Sequence, residues 1–152
     1  MSGRSKPHSR ADYAHFRAMT TRWMDNDAYQ HVNNAAYYAF FDTAVGQLLI
    51  ECGFLDVRRS PVIGLVAETK CQYFREIAFP STVHAGLRIG RQGRTSITYE
   101  IGLFRDDEDE ACAQGHFVHV YVDRESNRPV PLPARLKSVV APLHIEGHTI
   151  AV

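Results

Sequence analysis

The stretch "DNDAYQHVNN" (25–34) gathers the side chains best equipped for chemistry. Two acids stand two positions apart, and Gln30, His31, Asn33 and Asn34 follow. An aspartate with a reference pKa of about 3.9 is ionised at neutral pH, so it can act as base or nucleophile. Directly behind the cluster the sequence turns apolar, as "NAAYYAFFDTAVGQLLIEC" (34–52). If that run is a helix, its first N–H groups lack intrahelical partners and point at the cluster. Such a terminus can polarise a carbonyl oxygen that develops negative charge. A carboxylate a few residues upstream can reach the same place, which is the minimal equipment for acyl transfer.

Other chemistries fit less well. Asp25 and Asp27 occupy the first and third positions of a calcium loop, but the sixth and twelfth are Gln30 and Ala36 instead of Gly and Glu. A zinc site finds only His31 and acids, with no HExxH spacing. His116 and His119 form HxxH in a stretch that reads as a strand, where an odd separation sends them to opposite faces. No metal site is expected. Asp and Asn are also common turn formers, so a solvated turn is the bland alternative. The position ahead of an apolar helix favours the chemical reading.

The elements around the cluster must position it. "HFRAMTTRW" (15–23) reads as a strand and 24–32 as a loop. The helix candidate spans 34–52, with Asn33 or Asn34 as N-cap and Gly53 where a left-handed C′ residue is wanted. Its apolar residues cover more than one stripe, so it is expected to be buried or wrapped. Gly46 inside it costs about 1 kcal/mol against Ala. Four strands follow, over 62–77, 81–90, 94–106 and 111–123, joined by short turns that make antiparallel neighbours natural. A short helix is expected over 133–140. One antiparallel sheet packed on one long helix buries both apolar surfaces, an α+β architecture.

Composition bounds the rest. The chain has 152 residues, 45% hydrophobic and 22% charged, as expected of one globular domain. We expect a loose tail over 1–12, a single domain over 13–145 and a C-terminal tail over 146–152. Seventeen basic and seventeen acidic residues give zero formal charge, which disfavours nucleic-acid binding. Cys52, Cys71 and Cys112 are odd in number and widely spaced, against a disulfide framework. No run approaches the ~18 apolar residues of a membrane span, and no signal-like segment opens the chain. A cytoplasmic location is the expectation.

"DNDAYQHVNNAAYYAFFD" resembles the active-site loop and helix start of hotdog-fold acyl-CoA thioesterases of the 4-hydroxybenzoyl-CoA thioesterase family, in the branch reading D-x-D-x-x-x-H-V-N-N. "RQGRTSITYE" (91–100) and "VYVDRESNRPVPLP" (120–133) are similar to later parts of that family, so the resemblance covers about residues 15 to 140. It implies the hotdog fold, a curled antiparallel sheet wrapped around one long central helix. By matched position it implies Asp27 as the catalytic carboxylate and the main-chain N–H at Asn34 as the donor to the thioester carbonyl. His31 and Asn33 would orient groups or water, and Asp25 is the motif's other acid, expected near substrate. In a separate branch a helix glutamate is the nucleophile, but here only Glu51 and Asp42 are on the helix, and neither fits that placement.

Further residues complete the expected site. Tyr37, with Tyr38, Phe40 and Phe41, would set the depth of the acyl pocket. Alternation along "GLVAE" puts Gly64, Val66 and Glu68 on one face, with Glu68 at the rim of a site. The resemblance makes Arg91 and Arg94, flanking the turn at Gly93, the best candidates for CoA phosphates. The implied activity is hydrolysis of an acyl-CoA to a carboxylic acid and CoA, without a metal or redox cofactor. Acyl carrier protein as the carrier, or acyl-CoA binding without turnover, are the alternatives. The resemblance also implies a homodimer or homotetramer with active sites at subunit interfaces.

Overall fold

Strand-forming and helix-forming stretches sort cleanly in space in a computed structural model, which describes residues 5–145. The elements run β1 (His15–Thr20), α1 (Asn34–Glu51), β2 (Val62–Tyr73), β3 (Thr82–Gln92), β4 (Ser96–Arg105), β5 (Ala113–Asp123) and α2 (Ala134–Val140). The five strands form one antiparallel sheet in the order β1-β3-β4-β5-β2. This is the α+β hotdog arrangement expected from the sequence, with α1 laid on one face of the sheet. β1 stops at Thr20, and Trp23–Asp25 form a single 3-10 turn instead of continuing the strand.

α1 begins at its predicted cap and ends at its predicted glycine. The Asn33 side chain accepts from the Ala35 N–H at 2.9 Å. At the other end Gly53 takes φ 77°, and the Gly53 and Phe54 N–H groups bond the Ile50 and Leu49 carbonyls. That is a Schellman stop, which a side chain with Cβ would strain. Phe41, Ala44 and Val45 are fully buried against Leu87, Ile89, Ile97, Ile101 and Leu103 of the sheet. Full burial of a side chain such as Phe41 or Val45 contributes about 1.5–3 kcal/mol. The opposite face, with Ala35, Ala39, Asp42, Thr43 and Ile50, is open to solvent, so within one protomer the helix is covered on one side and not wrapped all round. At Gly46 a methyl group would meet nothing within 4 Å.

Residues 6–12 differ from the loose tail expected over 1–12. The His8 N–H donates to Gln114, the Gln114 amide donates to the Lys6 carbonyl, and Arg10 binds the carbonyls of Asp106 and Glu108. Tyr13 then lies over the paired Gly86 and Gly102, where added Cβ atoms would come within 2.8 and 2.6 Å of its ring. Long-range partners pin a segment whose own composition is polar. The expected tail over 146–152 lies outside the described residues.

β2 carries an irregularity between Val66 and Glu68. Val66 pairs with His119, on the helix-facing side, whereas Glu68 pairs with Val118. The extra residue, Ala67, therefore turns Glu68 to the outer face of the sheet.

His119 is buried among the rings of Phe117, Tyr99 and Tyr121, and neither ring nitrogen has a partner among the described residues. Burial lowers its pKa from the ordinary 6.5 to about 4, opposed by Asp42. Between those values the unfolded chain binds a proton here that the folded chain does not. This site therefore lowers stability as pH falls through that window, by roughly 3 kcal/mol when complete. Urea melts from pH 7 to pH 4.5 should show that loss in wild type and a visibly flatter dependence in His119→Phe.

Candidate active site

The loop before α1 is built from short-range backbone bonds. The Arg22 N–H and guanidinium both bind the Asp25 carboxylate, closing the 3-10 turn. The Asp25 carbonyl then accepts from Asn33, and the Val32 N–H donates to Ile77 across the core edge. Between these anchors Asp27–His31 forms a tight hairpin. The Asp27 N–H donates to the His31 carbonyl, the Gln30 N–H donates to the Asp27 carbonyl, and Gln30 adopts φ 67°. A non-glycine residue in that region is costly by about 1–2 kcal/mol and is held by the bonds on either side.

Asp27 is half-buried on this hairpin. One carboxylate oxygen accepts the Tyr29 N–H at 2.9 Å. The other has no partner among the described residues. The Asn34 N–H at the first position of α1 also donates to nothing among them. Both residues line an open cleft of about 570 Å³, together with Tyr29, His31, Tyr37 and Tyr73. Phe74, Arg75 and Glu76 complete its lining. A carboxylate and an unpaired helix N–H facing one cleft can bind a polarised carbonyl and act on it.

Of the residues expected from the sequence, Asp27, His31, Asn34 and Tyr37 meet in this cleft. Asn33 sits beside it as the helix cap. Asp25 does not join them: its side chain is buried against Arg22 and faces a separate groove between β1 and α1. Within one protomer it therefore stands apart from the cleft at the helix start, its carboxylate paired at i,i+3 spacing with Arg22. Glu68 also lies outside this cleft within one protomer, since the bulge places it on the outer face, where it meets His116 at 2.8 Å.

Arg91 and Arg94 are also remote within one protomer. The Thr82 end of β3 adjoins the loop through the Thr21–Ser81 bond, while Arg91 and Arg94 lie at the other end of this 11-residue strand. At about 3.3 Å per residue the two ends are roughly 33 Å apart. The cation that does share the cleft is Arg75, whose guanidinium also binds Glu108 and the Glu110 carbonyl.

Tyr73 and Arg75 were not singled out from the sequence. Tyr73 donates to the Asn34 carbonyl at 3.0 Å and meets Tyr37 edge-on at 4.9 Å. Burial holds the Tyr37 hydroxyl neutral, with its pKa pushed up to about 12. The available signal was "YFRE" at the end of a strand returning antiparallel toward the helix start. Among the described residues no group of three His, Cys, Asp or Glu side chains is placed to hold a metal ion. No helix among them is long and apolar enough to cross a membrane.

Residues 21–140 match the thioesterase-like superfamily, and the chain belongs to it. The chain is 50% identical to the PA5185 protein of Pseudomonas aeruginosa strain PAO1, covering 92% of this chain and 98% of that one with a TM-score of 0.89. It is also similar to the PA2801 protein of the same species, provisionally assigned as a thioesterase, at 27% identity, 84% and 98% coverage and TM-score 0.77. DHNA-CoA thioesterase from Staphylococcus aureus shares the fold, at 18% identity, 77% and 79% coverage and TM-score 0.70. No curated protein gives a match.

The two neighbouring asparagines should separate by role. Asn33→Ala removes the cap of α1 and should lower stability by about 1 kcal/mol, whereas Asn34→Ala keeps the main-chain donor and should stay within about 0.5 kcal/mol. Chemical denaturation of both variants measures this.

Proposed function

We propose that the protein is an acyl-CoA thioesterase, hydrolysing a thioester to a carboxylic acid and free CoA, of the branch carrying the D-x-D-x-x-x-H-V-N-N motif. The observation that carries this reading is the pairing of a carboxylate oxygen and an unpaired helix N–H on one cleft. The thioester carbonyl accepts from the Asn34 N–H, which stabilises the oxyanion as charge develops. Asp27 either takes a proton from an attacking water or attacks the carbonyl itself. In both routes the tetrahedral intermediate collapses by breaking the C–S bond, and the CoA thiolate leaves. In the second route the acyl group is then held as a mixed anhydride on Asp27, which a water hydrolyses to the carboxylic acid and the free carboxylate. His31 lies on the same hairpin and would position the water. The chemistry needs neither a metal nor a redox cofactor. Structural relatives named as gentisyl-CoA and DHNA-CoA thioesterases support a CoA-linked substrate.

Asp27→Asn preserves shape and removes the base. Thiol release from a panel of acyl-CoAs should fall by about 10²–10⁴-fold. Undiminished release would sink the assignment. Faster release from an acyl carrier protein thioester would instead identify that carrier, and tight acyl-CoA binding without release by the wild type would identify a binding module.

The site is also proposed to need a second copy of the chain. β2 is an edge strand with Leu65 43% and Val66 48% exposed, and such an edge invites pairing. Antiparallel pairing of β2 with its mate joins the two sheets across a two-fold axis. It also reverses the mate, so that the Arg91–Arg94 turn of the second copy comes to the same end as Asp27. Phosphate contacts from those arginines are then possible across the interface. Light scattering should give a dimer or tetramer. A fully active monomer would overturn this part of the proposal.

A further inference from the structure

Asp27 lines a second cleft as well, on the other side of its hairpin. This cleft also measures about 570 Å³, and its walls are Trp23, Asn26, Gln30, Ala78 and Phe79. The rings of Trp23 and Phe79 meet at 71° with centroids 5.9 Å apart, so two aromatic faces form a corner. The corner is fixed to the hairpin because the Asn26 side-chain oxygen accepts the Phe79 N–H at 3.1 Å. Trp23 is nonetheless 81% exposed, a large apolar surface left in water beside a reactive carboxylate.

The two clefts differ in chemistry. The one at the helix start holds Arg75, Glu76 and three tyrosines, whereas the Trp23 cleft has no charged side chain except Asp27. A thioester carbonyl carries two diverging arms, an acyl group and a sulfur-linked pantetheine with amides and phosphates. A carboxylate on the wall between two clefts suits a substrate that sends one arm to each side. Resting on the assignment of Asp27 above, we propose that the Trp23–Phe79 corner is the subsite for the acyl group. It takes an apolar ring or chain laid against the indole face, while the polar arm leaves through the Arg75 cleft. Covering the exposed indole with an apolar acyl group removes both surfaces from water.

Trp23 is the single tryptophan of the chain, so its emission reports the subsite without any turnover. Wild type is titrated with the non-hydrolysable thioethers S-hexyl-CoA and S-benzyl-CoA and with CoA alone, binding being followed in parallel by calorimetry. The thioethers should shift the emission to shorter wavelength, and CoA alone should leave it unchanged. An equal response to CoA alone, or none at saturation with the thioethers, overturns the proposal. In steady-state assays Trp23→Ala should raise the KM for hexanoyl-CoA about tenfold more than the KM for acetyl-CoA, and an equal change for both also overturns it. The Asp27→Asn variant separates the two readings. If it retains full turnover while the wild-type emission shift holds, the subsite stands and the base assignment falls. If its turnover collapses and no thioether moves the emission, the base stands and the subsite falls.

Discussion

An unpaired N–H at the start of α1 is the feature on which the whole candidate site depends, and it exists because its neighbours are satisfied. The Val32 N–H donates to Ile77 and the Asn33 N–H to Asp25. The Asn33 side chain and carbonyl take the Ala35 and Ala36 N–H groups. Only Asn34 is left over among the described residues, at the point where the chain passes from exposed loop to buried helix. Val32 and Tyr37, both buried, clamp that point from the core side. Apolar packing thus fixes where the terminus is, and capping fixes which of its donors stays available. The cost of leaving one N–H without a protein partner is small because water reaches it.

Antiparallel register then decides which side chains can share the terminus. β2 ends at Tyr73 beside the helix start, so Tyr73 and Arg75 arrive there although 39 residues separate Tyr73 from Asn34. β3 begins at the same end and carries Arg91 away from it. A protomer therefore has one polar end with the Asp27 carboxylate and another with the Arg91–Arg94 turn. Joining the β2 edges of two copies would bring unlike ends together, and the exposed apolar pair Leu65 and Val66 marks the edge that would do so. The same edge is a liability in an isolated monomer.

What was legible in the sequence was local. Asn33 as cap and Gly53 as stop depend on a few residues each, and the short turns between strands betray antiparallel neighbours. The four strands after α1 and the short helix before Val140 fall within a few residues of the expected positions. What escaped was set by partners far along the chain or by a single inserted residue. "LVAETK" alternates as if continuous, yet the bulge at Ala67 reverses the face of everything beyond it, including Glu68. Residues 6–12 look like a polar tail because Gln114, which anchors them, is 106 positions from His8. Arg91 and Arg94 read well as a cationic turn, but strand direction, not composition, sets their distance from Asp27.

Asp25 and Asp27 show how little separates a structural acid from a chemical one. They are two residues apart in one motif, both before the same helix. Asp25 lies at the third position of a 3-10 turn, where the Arg22 N–H and guanidinium reach it, and its side chain is 5% exposed. Both of its oxygens are engaged by Arg22, whose backbone and guanidinium hold it in place. Asp27 opens a hairpin whose bonds run through the main chain, and only one of its oxygens is used. No cation pairs with it among the described residues, so its charge is not neutralised in advance. A base must keep a lone pair available and a partner-free face toward the substrate. By that criterion the loop spends Asp25 on holding its own shape and leaves Asp27 on the wall between two clefts.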